Sequence, residues 1–336
     1  KIPITLAMVF FFINSSVNLI DITSERLMNK MLLKTMKGNK LNSFFYVNSG
    51  SEATDNAIKI ARLYTGKSNI ITMNRGFHGR TLGALSVTSS NLACRMNVSP
   101  LMSNVFYCNN FSKETLDLIL EHQSSPNDTA AILLEPVQGE GGIYSIDMEF
   151  LQYVEKICNA NNILLIADEV QCGAMRTGSW WNFDQKNITP DLVTFGKGIA
   201  SGYPLAGVIG QSNIMNSLLP GNLGGTYGGN AICSAAASAT IDLLNDKILQ
   251  KNINDIGTYI TNNLYDEPMI KSIRQYGLMI GIEFITSNTK PDITRKILEQ
   301  LREAGILVLY AGNKNQYIRL LPSFTISLEE INIFHL

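Results

Sequence analysis

From about residue 43 the chain alternates short apolar runs with segments of helical period. The runs SFFYV (43–47), NIITM (69–73), AAILLE (130–135), NILLIAD (162–168), DLVTF (191–195) and LAGVIG (205–210) predict buried strands, being apolar, short and bounded by turn residues. Between the first two, Ala53, Ala57, Ala61 and Tyr64 recur on one helix face and Gly66 supplies a stop. The segment Met148–Asn161 predicts a second helix between two strands. Such alternation implies an α/β fold with a mostly parallel sheet and helices on both faces, in which ligands sit beyond the carboxyl ends of the strands.

Past a helix starting near Asn230 the pattern changes. SIRQYGLMIGIEFI predicts two strands, ITRKILEQLREAG a helix with a glycine stop, and QYIRLLPSF a further strand. This implies a smaller C-terminal α+β domain, with the boundary near residues 245–255. The expected division is an atypical N-terminal segment over 1–40, a large domain over 41–245 and a small, truncated one over 246–336. KIPITLAMVFFFIN, at the start, has one lysine and then an apolar run too short to span a bilayer. No clear small-residue cleavage site follows it, so it reads as the beginning of a trimmed chain entering a buried strand or helix.

Composition narrows the classes. The 336 residues are 45% apolar with net charge −1, and no basic stripe marks a nucleic-acid partner. Five cysteines, odd in number and without a CxxC pair, and three scattered histidines exclude a disulfide framework and a structural zinc site. The expected setting is a reducing one, the cytoplasm or else the mitochondrial matrix, with no membrane partner.

The chemistry lies at the strand ends. Asp168 closes ILLIAD, Glu135 closes AAILLE, and Lys197 follows LVTFG between Gly196 and Gly198. One strand-end acid is as readily a helix cap as a functional group; three such residues on one sheet favour a site. NSGSEA (48–53) leads from a strand into a helix, where Gly50 and Ser51 would offer unpaired backbone N–H groups at the positive end of the helix dipole. Alone this is weak, since Ser-Gly before a helix is common capping chemistry. Together the groups meet the demands of one cofactor, pyridoxal 5'-phosphate. It needs a lysine amine to bond to its aldehyde, a carboxylate at its ring nitrogen, anion donors for its phosphate and a flat surface against its ring. Phe77 and His78, in GFHGR, can supply that surface.

With FYVNSGSEATDNAIKIAR, FHGRT, EPVQGEGG, LLIADEVQCG, PDLVTFGKGIASGYPLAG and GGTYGGN in this order, the chain resembles the class III aminotransferases, enzymes of fold type I, over residues 43 to 335. The resemblance implies that Lys197 bonds to the cofactor and then shuttles the proton. It implies Asp168 at the ring nitrogen, Val170 under the ring, Gln171 at the ring hydroxyl, Gly50 and Ser51 at the phosphate, and Phe77 on the ring with His78 beside it. Glu135 is placed with these. Thr226 would reach the phosphate of a neighbouring subunit, making the site one shared across a homodimer. Arg319, in YIRLLPSF, would take the α-carboxylate of amino-acid and 2-oxo-acid substrates, Glu140 would pair with it when no such carboxylate is present, and Arg80 would meet a distal carboxylate.

The wording EPVQGEGG, PGNLGGTYGGN and IRLLPSF leans to 4-aminobutyrate aminotransferases, with 2-oxoglutarate as acceptor; acetylornithine and ornithine aminotransferases are the alternative. Residues 1–40 do not follow the family pattern, CGAMRTG departs from its usual wording, and the family's last helix is expected to be cut. An aminomutase, racemase or decarboxylase on the same fold stays open, as does an inactive relative serving as a dimerisation partner.

Overall fold

The structure is a computed structural model and describes residues 24–38, 40–109, 111–285, 293–312 and 314–332. The opening KIPITLAMVFFFIN therefore lies outside the described residues. A seven-stranded sheet has the order β1-β9-β8-β7-β4-β2-β3. Its strands are β1 (Leu41–Val47), β2 (Asn69–Met73), β3 (Val105–Cys108), β4 (Thr129–Leu134), β7 (Leu164–Asp168), β8 (Leu192–Phe195) and β9 (Ala206–Gln211). A two-stranded hairpin, β5 (Val137–Gln138) with β6 (Tyr144–Ser145), stands apart from it. β9 is antiparallel to both neighbours, β1 and β8, so it alone runs against the other six.

The six runs read from sequence each coincide with a strand of this sheet. β2, β4 and β8 are buried at every residue, as strands covered on both faces must be, which is why they read as continuous apolar runs. β3 was not anticipated: only one of its four residues is buried, so its apolar signal is diluted at the sheet edge.

The helix Gly50–Thr65 shows how local chemistry and packing agree. Ser49 and Glu52 form a reciprocal capping box, Gly66 closes the far end in the left-handed conformation, and Ala53, Ala57, Ile58, Ile60 and Ala61 are buried. The three alanines let the helix lie close against the sheet and the two isoleucines fill the cluster shared with Ala131, Leu133, Ile166 and Val208. A helix over 24–35 was not foreseen within the N-terminal segment. Its Met28 and Leu32 are fully buried, and the Thr35 hydroxyl accepts a hydrogen bond from Trp181 Nε1 at 3.0 Å.

The C-terminal part carries a separate four-stranded antiparallel sheet, β10 (Ile270–Tyr276), β11 (Met279–Phe284), β12 (Leu309–Ala311) and β13 (Tyr317–Leu320), in the order β10-β11-β13-β12. The expected helix runs over Ile293–Glu303. Among the described residues all five cysteines are free, and no helix is long and apolar enough to cross a membrane.

Candidate active site

The topology delivers polar groups to one edge. β2, β4, β7 and β8 are parallel, and β1, antiparallel to β9, runs with them. The residues just beyond their carboxyl ends are therefore neighbours: Gly50 and Ser51 after β1, Phe77 and His78 after β2, Glu135 after β4, Asp168 closing β7, and Lys197 after β8. No single segment announces this grouping; the strand order creates it.

Asp168 is the most firmly held. One carboxylate oxygen accepts from Thr194 Oγ1 at 2.9 Å and from the Val170 N–H at 3.1 Å. The other lies 2.7 Å from His78 Nδ1. Burial alone would lower the His78 pKa, but the hydrogen bond and charge of Asp168, with Glu135 behind it, outweigh burial and raise it. Nε2 of His78 lies 3.3 Å from Thr72 Oγ1. The His78 side chain is thus wholly enclosed and acts on Asp168. It offers no flat face to a ring, contrary to the stacking role considered from sequence, because the side chain is wholly buried among protein atoms.

Glu135 is also buried, and its oxygens accept from the Phe77 and Gly139 backbone N–H groups at 2.8 and 3.1 Å. Burial pushes its pKa up to about 7. Its oxygens hold the frame around Phe77, whose ring is half-buried. Glu169, next to Asp168, is another buried acid raised to about 7 by burial; it accepts from the Phe183 N–H at 2.8 Å and from Cys172 Sγ at 3.2 Å.

Lys197 opens a short 3₁₀ turn, Lys197–Ala200, in the left-handed region with φ of 47°, an uncommon backbone state for a side chain of this size. Solvent reaches the side chain, yet the amine is ringed by protein. This crowding lowers its pKa; Glu135, Asp168 and Glu140 oppose the shift and Arg319 adds to it. The Lys197 amine has no hydrogen bond or ion pair among the described residues.

The anion cradle is assembled by close approach. A Cβ on Gly50 would sit 2.7 Å from Val170 Cγ1, and one on Gly196 would lie 3.5 Å from the same methyl and 3.7 Å from the Gly50 nitrogen. The 2.7 Å contact calls for glycine at position 50, where the helix start and Val170 meet, while Gly196 lies at ordinary packing distance from both. The first N–H groups of a helix have no partner within it. Ser51 Oγ accepts from the Arg80 N–H at 3.0 Å, leaving its own O–H to donate. A phosphate fits this donor set. Among the predicted site residues, Arg80 and Thr226 are exposed, and their side chains make no hydrogen bond or ion pair among the described residues.

A second cluster joins the two sheets. Arg319, buried on β13, pairs with Glu140 at 2.8 Å, donates to the Tyr310 carbonyl at 3.2 Å and approaches Gln171 Oε1 at 3.4 Å. Gly139 leaves room for the Gln171 amide, which a Cβ there would displace, falling 1.3 Å from Oε1. No metal-ligating cluster occurs among the described residues. A cavity of about 770 Å³ in the C-terminal part, lined by Ile260, Leu307, Leu309, Leu320 and Ile331 and touched by Arg319, is apolar and lies away from Lys197.

Glu52, Thr194, Thr72 and Glu169 escaped the sequence reading. Glu52 had a local signal, the Ser-x-x-Glu spacing of Ser49 and Glu52. The other three had no recognised spacing signal: Thr194 meets Asp168 from 26 residues away, while Thr72 and Glu169 have partners nearby in sequence, His78 and Cys172, in no distinctive pattern.

Comparison with known proteins identifies the family. A family model described as aminotransferase class-III matches residues 9–335. The chain is 37% identical over 303 residues to the 4-aminobutyrate aminotransferase of Escherichia coli, covering 85% of this chain and 71% of that one. It is 38% identical over 301 residues to ornithine aminotransferase 1 of Staphylococcus aureus, covering 85% and 72%. Among solved structures, the ornithine aminotransferase of Toxoplasma gondii, whose active site holds pyridoxal phosphate at partial occupancy, superposes with a TM-score of 0.81 and 27% identity over 92% of this chain and 74% of that one.

Proposed function

We propose, on the premise that this chain belongs to the class-III aminotransferases and uses pyridoxal phosphate, that it moves the amino group of an ω-amino acid of the 4-aminobutyrate type to 2-oxoglutarate. The observation that carries this reading is the 2.8 Å pair between Arg319 and Glu140. Bound pyridoxal phosphate supplies the aldehyde that takes the amino group and a ring that draws electrons from the substrate carbon.

The chain's own residues divide the remaining work. Lys197 Nζ would hold the cofactor and would serve as the proton carrier at the substrate carbon; its lowered pKa leaves more of it as the neutral amine than an ordinary lysine would have. Asp168 would keep the ring nitrogen protonated, with His78, Thr194 and the Val170 N–H fixing its carboxylate. Gly50 and Ser51 would hold the phosphate. Phe77 and Val170 would position the ring and Gln171 its hydroxyl.

An ω-amino acid bears no α-carboxylate. Arg319 then keeps Glu140 as its counter-ion, and Arg80 meets the distant carboxylate. When 2-oxoglutarate enters, its α-carboxylate competes for Arg319 and Glu140 swings aside. A buried arginine stripped of its counter-ion is costly, although Glu140 is partly exposed and solvent screens part of the pair. Glu140→Ala should therefore slow the ω-amino half-reaction more than the glutamate half-reaction. The identity of the donor is tested with a panel of 4-aminobutyrate, ornithine, N-acetylornithine and β-alanine, each with 2-oxoglutarate. Preference for 4-aminobutyrate is expected. Strong preference for N-acetylornithine would leave the cofactor chemistry standing and overturn the substrate. Ornithine is the specific alternative, supported by the similar identity of the 4-aminobutyrate and ornithine relatives.

The exposed loop with Thr226 and Tyr227 suits a site completed by a second copy of the chain. Thr226 would then hold the neighbour's cofactor phosphate, so cofactor affinity should rise with protein concentration as dimers form. Tight pyridoxal phosphate binding by a species shown to be monomeric by analytical ultracentrifugation would contradict the shared site.

A further inference from the structure

The turn of the β5–β6 hairpin, residues 139–143, carries Glu140, and the small sheet grips this turn at several points besides Arg319. In that sheet Arg274, Gly281 and Arg319 are paired across β10, β11 and β13, so their side chains share one face. Tyr317 lies two residues before Arg319 on the same strand and faces the same way. Gly281 leaves a gap between the two arginines, and Ile143 fills it: a Cβ on Gly281 would lie 2.8 Å from Ile143 Cγ1. Ile143 itself has φ of 58°, a state that a β-branched residue takes only when its surroundings impose it.

The next residue supplies the strongest attachment. Tyr144 and Tyr317 share a 2.6 Å hydrogen bond, with rings edge to face at 5.9 Å. The Arg274 guanidinium lies 4.2 Å from the Tyr144 ring centroid and 4.6 Å from that of Tyr317, and its Nε donates to the Gly142 carbonyl at 3.1 Å. From the segment leading to Phe77, Arg75 lies 4.6 Å from the Tyr144 ring. Tyr144 is therefore in contact with both arginines and bound to the strand that carries Arg319. The Glu140 carbonyl is fixed as well, by the Gly312 N–H at 2.8 Å.

We propose that Tyr144, Tyr317 and Arg274 are positioning residues that set how firmly Glu140 holds Arg319, and so set the balance between substrates with and without an α-carboxylate. This rests on the Glu140–Arg319 reading given above. The clamp fixes the turn at the residues after Glu140, keeping its carboxylate near the guanidinium. With the clamp loosened, the carboxylate spends less time on Arg319 and an incoming carboxylate meets less competition. None of the three residues needs to touch substrate.

The probe is glutarate, a dicarboxylate that cannot react, titrated calorimetrically into the cofactor-loaded protein, its Tyr317→Phe variant and Glu140→Ala. Phenylalanine keeps the ring and its packing and removes only the bond between the hydroxyls. Tyr317→Phe should bind glutarate about fivefold more tightly than the parent, the scale of one neutral hydrogen bond. Its single-turnover rates should shift in the same sense, with 4-aminobutyrate slowed relative to glutamate. If Tyr317→Phe does not fold, Tyr144→Phe removes the same bond from the other side and carries the same expectation. A role in stability alone would lower the melting temperature and change both half-reactions in proportion, which overturns the proposal. If Glu140→Ala tightens glutarate and neither tyrosine variant does, the clamp is wrong and the gate stands. If Glu140→Ala also fails to tighten it, the gate reading is wrong and the clamp falls with it.

Discussion

Lys197→Ala should abolish transamination, lowering turnover on the order of 10⁵- to 10⁶-fold, the scale of removing the nucleophile from a covalent catalyst. The expectation follows from where the amine sits. It is carried beyond β8 on a left-handed residue, has no hydrogen bond or ion pair among the described residues, and lies in the combined field of Glu135, Asp168, Glu140 and Arg319. A lysine serving only solubility would not be placed on a strained backbone inside a ring of acids. The phosphate cradle at Gly50 and Ser51 and the Asp168 carboxylate stay intact in the variant, so cofactor should still bind, now without a covalent bond to the protein. Steady-state turnover and the absorbance of the cofactor-loaded variant measure the two effects separately. Near-normal turnover would assign the chemistry to another amine.

Asp168→Asn should lower turnover by about 10²- to 10³-fold, the range seen when one preorganised electrostatic contact is removed from a buried site. Asparagine retains an oxygen for Thr194 Oγ1 and the Val170 N–H, so the local structure should persist. What is lost is the negative charge that would keep the ring nitrogen protonated. Cofactor affinity should change far less than rate. The substitution has a second signature at His78. Burial lowers the pKa of that imidazole, and Asp168, aided by Glu135, raises it above the ordinary 6.5. A raised folded-state value contributes stability that is fully present below the ordinary histidine pKa and is lost as pH rises through the raised one. In Asp168→Asn the His78 pKa should fall and this part of the pH-dependent stability should vanish. Titration of the His78 ring by NMR and thermal melts across pH 5–8 read both. Unchanged turnover would remove Asp168 from its assigned role, and an unchanged His78 titration would deny the coupling.

The segments that were legible in the sequence were those whose signal is local. Five of the six apolar runs coincided with strands buried at nearly every residue, where no polar alternation confuses the reading, and the sixth, β1, is part-buried at a sheet edge yet legible through its run of Phe44, Phe45 and Tyr46. The helix Met148–Asn161 showed its period in the sequence and carries its own cap, Asp147 accepting from the Phe150 N–H. β3 and the helix over 24–35 were missed for the opposite reason: the strand is only part-buried, and the helix owes its place to Met28 and Leu32 entering a core built by later segments.

The candidate site divides along the same line. Residue identities and the Gly-Lys-Gly and Asn-Ser-Gly-Ser-Glu wording were enough to nominate Lys197, Asp168, Gly50 and Ser51, because the chemistry of a lysine, a carboxylate and a helix start is intrinsic to those groups. Their meeting was not intrinsic. It depends on the strand order, which brings the carboxyl ends of five strands to one edge, and on the close approach of Val170 to the helix start at Gly50. The sequence could not show that His78 would be enclosed behind Asp168 and so unavailable for stacking, because Asp168 lies ninety residues away along the chain. It could not show that Tyr144 would lie against Tyr317, 173 residues further on. Chain chemistry decided which groups were available; only the packing of two sheets decided which of them share a low-dielectric neighbourhood, where position sets both charge and reactivity.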